Sequence, residues 1–191
     1  MSLTGRLSVH ARVIYHGVSD NNNAATGDEK SRPITFHIYA FFPVDGEFCV
    51  YRRRCPDQSR SETEEEWESF VGNSYCQVGM WDNPDELINV SENPGRFPTL
   101  LPGESWSDFW TMTADGCCLP DDLKPGERLR YLFKGSILDW WEWGTAADHT
   151  QTIVTLPSSG VEPISDPRDN GGRPKVVVPA SNIVEWTVVD E

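Results

Sequence analysis

The stretch Leu123-Lys-Pro-Gly-Glu-Arg-Leu-Arg-Tyr-Leu-Phe133 decides the class of fold. Its proline presets the first dihedral of a tight turn, and its glycine takes the positive dihedral that a type II turn needs. The residues that follow alternate. Leu129, Tyr131 and Phe133 face one way, while Arg128, Arg130 and Lys134 include the solvent side, which is the period of a half-buried strand. Earlier in the chain, Leu100-Leu-Pro-Gly-Glu-Ser-Trp-Ser-Asp-Phe-Trp110 repeats the plan: a leucine, a Pro-Gly-Glu turn, a strand.

Outward from these units the same grammar continues. Leu7, Val9, Ala11, Val13 and Tyr15 alternate with Ser8, His10, Arg12 and His16, so the first segment is a strand with one wet face. Pro33 opens Ile34–Phe42, apolar on both faces and expected as a central strand. Asp45-Gly46 is expected to turn it into Phe48–Arg52 as a hairpin. Tyr75–Trp81, Leu87–Val90, Gln151–Leu156, Val176–Val178 and Ile183–Val189 read as further strands. The stretches 19–31 and 157–175 read as long loops. One segment predicts a short helix. Ser61-Glu-Thr-Glu64 has capping-box spacing, Gly72 supplies a stop, and Trp67, Phe70 and Val71 share a helical face.

Eight or nine short strands with turns between them, and no alternation with long helices, predict a single all-β domain over residues 1–191. In strand count and in its two Leu-x-Pro-Gly-Glu turns the chain resembles immunoglobulin-like and fibronectin-type domains. Its loop lengths and tryptophan usage also resemble uncharacterised fungal proteins. The resemblance implies an immunoglobulin-like antiparallel β-sandwich, here with one short helix and long loops. The Cys…Trp…Cys core of antibody domains is not evident, and no functional residue carries over.

Charge limits the partners. Thirty acidic against 16 basic residues give a net charge of −14, a field that repels phosphate backbones and anionic lipid. Nucleic acid and membrane are therefore not expected; a protein or a small-molecule ligand is, by charge a basic protein or a cationic ligand, with the oligomeric state open. The first ten residues lack the apolar core of an export signal, and five cysteines in no regular spacing make no disulfide framework. The expectation is a cytoplasmic protein with reduced thiols.

Asp139-Trp-Trp-Glu-Trp-Gly-Thr-Ala-Ala-Asp-His149 carries the candidate chemistry. As a loop at one end of the sandwich, Trp140, Trp141 and Trp143 make a recognition surface for a protein or small ligand. The bland alternative is that they plug the core. On the recognition reading, Trp141→Ala or Trp143→Ala weakens binding and leaves stability nearly unchanged. The second functional reading is a small cofactor-independent enzyme, an isomerase, cyclase or hydrolase. Asp139, Glu142 and His149 would then be its acid–base groups, with Asp139 or Asp148 orienting His149. His10, His16 and His37 lie on predicted strands but lack zinc-ligand spacing. Cys117-Cys118 sits in an acidic segment unsuited to a reactive thiolate, and Asp166–Gly172 does not match a calcium loop. Neither a metal nor an organic cofactor is expected.

Overall fold

The computed structural model describes residues 6–17, 31–41, 48–53, 67–70, 86–113, 119–120, 122–156 and 173–189. Among these residues every ladder is antiparallel and there is no α-helix. The strands are β1 (Arg6–Ile14), β2 (Ile34–Phe36), β3 (Phe48–Arg53), β4 (Trp67–Phe70), β5 (Glu86–Asn89), β6 (Thr99–Leu100) and β7 (Ser105–Thr113). They continue with β8 (Arg128–Phe133), β9 (Ser136–Ile137), β10 (Trp141–Trp143), β11 (Ile153–Leu156), β12 (Val177–Val178) and β13 (Val184–Thr187). They form a four-stranded sheet β13-β8-β3-β4, a three-stranded sheet β10-β2-β6, and the ribbons β1-β7, β5-β11 and β9-β12.

The Pro-Gly-Glu turns are built alike, down to their hydrogen bonds. Gly103 and Gly126 hold φ of 90° and 86°, the left-handed value that glycine adopts without penalty. Glu104 N–H donates to the Leu101 carbonyl and Glu127 N–H to that of Lys124, closing each turn. Each glutamate side chain then reaches back and accepts the first N–H of its turn, Leu101 at 2.7 Å and Lys124 at 3.0 Å. The glycine N–H of each turn donates to a passing strand end, Gly103 to Tyr15 and Gly126 to Val188, which donate back to Glu104 and Glu127. The turn thus sets the register of the strand pair beyond it. Ile14 lies opposite Ser105 at one, and Thr187 opposite Arg128 at the other.

Alternation places the core. Leu129, Tyr131 and Phe133 of β8 are buried, while Arg128 and Arg130 turn outward to Glu185 on β13 at 2.8 and 2.6 Å. Val50 of β3 and Leu129 and Tyr131 of β8 pack with Met112 of β7 and with Leu7 and Val9 of β1. Phe133 packs with Ile34, Phe36, Leu100 and Trp141 of the three-stranded sheet. One face of the four-stranded sheet therefore covers both the β1-β7 ribbon and the β10-β2-β6 sheet, an arrangement in packed layers compatible with a β-sandwich. A third cluster, Ile88, Val90, Phe97 and Val154 around Trp140, lies under the β5-β11 ribbon.

Three expectations need correction. The proposed helix is not formed where the structure describes it: Trp67–Phe70 is β4, paired with β3, and residues 61–66, 71 and 72 lie outside the described residues. In a strand, a spacing of three puts Trp67 and Phe70 on opposite faces. Trp67 sits under the Arg130 guanidinium at 4.0 Å, and Phe70 packs into the core. The long strand from Ile34 stops at Phe36, and Ile38–Phe41 coils into a 3-10 turn with Ile38 and Phe41 buried. The expected hairpin with Phe48–Arg52 does not exist, because β2 pairs with β10 and β6 whereas β3 pairs with β4 and β8. Asp45-Gly46, Tyr75–Trp81, Cys117-Cys118 and Asp166–Gly172 lie outside the described residues.

Candidate functional site

The Trp-rich segment is not a free loop. Trp141–Trp143 is β10, and its partner β2 runs antiparallel with Trp141 opposite Phe36 and Trp143 opposite Ile34. Period two then sorts the rings. Trp141 (3% exposed) enters the main core, and its indole N–H donates to the Pro174 carbonyl at 3.0 Å. Trp143 shares that side, half-buried, edge-on to Trp141 at 5.1 Å. Trp140 (2% exposed) points the other way, into the cluster with Phe97 and Val154. Trp140 and Trp141 are thus core residues, and Trp143 is the ring that solvent reaches. Gly144 ends the strand at φ 117°, where a Cβ would stand 3.0 Å from Asp148 Cβ and 3.3 Å from His149 Nε2.

The three candidate acid–base groups are each engaged elsewhere. Asp139 is buried, and its carboxylate meets His37 Nδ1 at 2.7 Å while also accepting the Trp140 N–H at 2.9 Å. Its histidine is therefore His37, 102 residues away in sequence, and not His149. His37 is buried too, stacked on Phe97 at 4.9 Å, so the pair pins the end of β2 to the entry of β10. Glu142 faces Arg173 at 3.2 Å. His149 is buried in a 3-10 turn, edge-on to Trp140 at 5.9 Å, with Nδ1 3.2 Å from the Thr152 hydroxyl. Its other ring nitrogen and the Trp140 indole N–H are buried with no hydrogen-bond partner among the described residues. Asp148 accepts both the backbone N–H and the hydroxyl of Thr145, which hold its carboxyl below the usual aspartate range. His10 and His16 lie on the exposed side of the first segment, apart from buried His37. No group of three metal-binding side chains occurs among the described residues.

What the structure does build beside this segment is a cavity of about 120 Å³ that opens to solvent. Val13, Ile14 and Tyr15 at the end of β1 form one wall, and Ile34, Phe36 and Leu100 of the three-stranded sheet form the floor. Phe41 and Leu138 close the back, and Val176–Pro179 cross over it. Gly135 permits that crossing: with φ at 98°, a Cβ there would meet the Val178 carbonyl oxygen at 2.9 Å. Trp141 belongs to the same core cluster as the lining residues Ile34, Phe36, Phe41, Leu100 and Leu138. At its side, the Tyr15 hydroxyl donates to the Arg32 carbonyl at 3.2 Å, and the Arg32 guanidinium lies 5.3 Å from the Trp143 ring. Burial pushes the Tyr15 hydroxyl pKa up, and the positive charge of Arg32 pulls it the other way.

Sequence reasoning did not find this cavity. The alternation of β1 correctly put Val13 and Tyr15 on the core side, but nothing in the chain joins them to Leu138 or Val176. No helix among the described residues is long and apolar enough to cross a membrane. No family model, curated protein or solved structure matches this chain.

Proposed function

We propose that the chain is a cytoplasmic binding protein on an immunoglobulin-like sandwich, and that it takes a small apolar molecule into the cavity beside β10. The observation that carries this reading is the wall. It is aliphatic and aromatic throughout, and Tyr15 is its one ionisable side chain. A ligand site of this kind gains affinity from burying apolar surface and needs few polar groups for orientation. Acid–base catalysis would need titratable groups facing the substrate, and Asp139, Glu142 and His149 face His37, Arg173 and Trp140. The size suits a single ring or a short alkyl chain, since a dry cavity of ~150 Å³ takes up benzene. The net charge of −14 supports a partner that is not a nucleic acid.

Thermal unfolding with and without hexanol tests the reading. A saturable ligand at ten times its dissociation constant stabilises by about 1.4 kcal/mol, or roughly 3–5 °C for a domain of this size. Val13→Phe and Val176→Phe, which fill the cavity from half-buried positions, are expected to melt near the wild type and to lose that shift. No saturable shift with hexanol, or an equal shift in both variants, contradicts the proposal.

A further inference from the structure

We infer that the ligand of this cavity is a small monocarboxylate, its apolar body inside and its carboxylate on Arg32; this rests on the cavity being a binding site. The chain carries 30 acidic residues against 16 basic ones, so an arginine is expected to meet a carboxylate of its own chain. Arg52 meets Asp122 and Glu127, Arg128 and Arg130 meet Glu185, and Arg173 meets Glu142. Arg32 does not: among the described residues its guanidinium has the Trp143 face and no carboxylate. The residue is exposed; its backbone carbonyl accepts from the hydroxyl of Tyr15, the one lining residue with a polar side chain, and its positive charge acts on that hydroxyl.

The backbone holds it there from both sides. Tyr15 donates to the Arg32 carbonyl, Gly144 N–H donates to the Pro33 carbonyl at 3.0 Å, and the next residue, Ile34, is cavity floor. The guanidinium carbon lies over the Trp143 ring at 5.3 Å, within cation–π range, and the planar fork of an arginine matches a carboxylate. The surrounding negative field disfavours anions at long range, but it is screened within about 8–10 Å at physiological ionic strength, so the local cation governs. An apolar wall with an arginine at its side that meets no carboxylate among the described residues complements an amphipathic anion better than a neutral molecule or a cation.

Titration calorimetry on the full chain with hexanoate, hexanol and hexylamine at physiological ionic strength tests this. Hexanoate is expected to bind about fivefold more tightly than hexanol, the upper range for one exposed charge pair, and hexylamine more weakly than either. Arg32→Gln, at an exposed site, is expected to reduce hexanoate affinity about fivefold and to leave hexanol unchanged. Hexanol binding as well as or better than hexanoate, or Arg32→Gln changing the two equally or not at all, overturns the carboxylate assignment and leaves the apolar site standing. Binding of none of the three overturns both.

Discussion

His37 and Asp139 show how little of an interior polar contact is written in local sequence. Each is an ordinary residue in its own stretch, and only the pairing of β2 with β10 brings them to 2.7 Å. Because both are buried, removing one strands the other. His37→Ala is expected to cost about 3 kcal/mol in urea unfolding, in the range for a broken buried pair. The tryptophans separate by the same logic. Trp140→Ala and Trp141→Ala, truncating rings that are 2% and 3% exposed, are expected to cost about 3–5 kcal/mol each, and half-buried Trp143→Ala clearly less. Equal losses at all three would contradict the placement of Trp143 at the solvent boundary. That Trp140 and Trp141 face opposite ways was legible from their adjacency; that both ways are inward was not, because the second partner, Val90, Phe97 and Val154, comes from the distant β5-β11 region.

At the scale of elements, the two Pro-Gly-Glu units were the most legible part of the chain, because the turn chemistry is local. Gly103 and Gly126 have open space where a Cβ would go, so Gly→Ala at either costs only the left-handed backbone conformation, about 1 kcal/mol. The likeness of the two turns leads us to expect nearly equal losses, measured as urea midpoints; a several-fold difference would break the equivalence. Gly135→Ala is expected to cost more, since the new Cβ must displace the 178–180 backbone as well. The β8-β13 pair carries a pH signature. Hydrogen bonding to Arg130, with the charges of Arg130 and Arg128, holds the Glu185 carboxyl below the usual glutamate range. A depressed folded value means its contribution is fully present above the unfolded pKa and is lost as pH falls through the folded one. Glu185→Gln is therefore expected to lower Tm at neutral and basic pH and to converge on the wild type as pH falls through the folded value; a loss confined to acid pH would reverse the sign. The helix expected around Trp67 failed for a physical reason. Two apolar residues three apart fit a helix face, but the same spacing also serves a strand with Arg130 above one ring and the core below the other.

For the whole molecule, composition and period two were enough to read an antiparallel all-β chain, while sheet membership was not. Which strand β2 chooses depends on burying Ile34 and Phe36 against Trp141, Leu100 and Phe133 together, a choice made by long-range packing. The cavity is a product of that packing, since its walls come from five separate parts of the chain around β1, β2, β6, β9 and β12. The central claim is that these walls bind. The most direct measurement is a methyl-resolved NMR titration of the full chain with hexanol. Saturable shifts are expected, confined to the methyls of Val13, Ile34, Leu100, Leu138 and Val176, and they are expected to disappear in Val13→Phe. Shifts that do not saturate, or that gather at exposed Leu87 and Ile153 on the outer face of the β5-β11 ribbon, would contradict it.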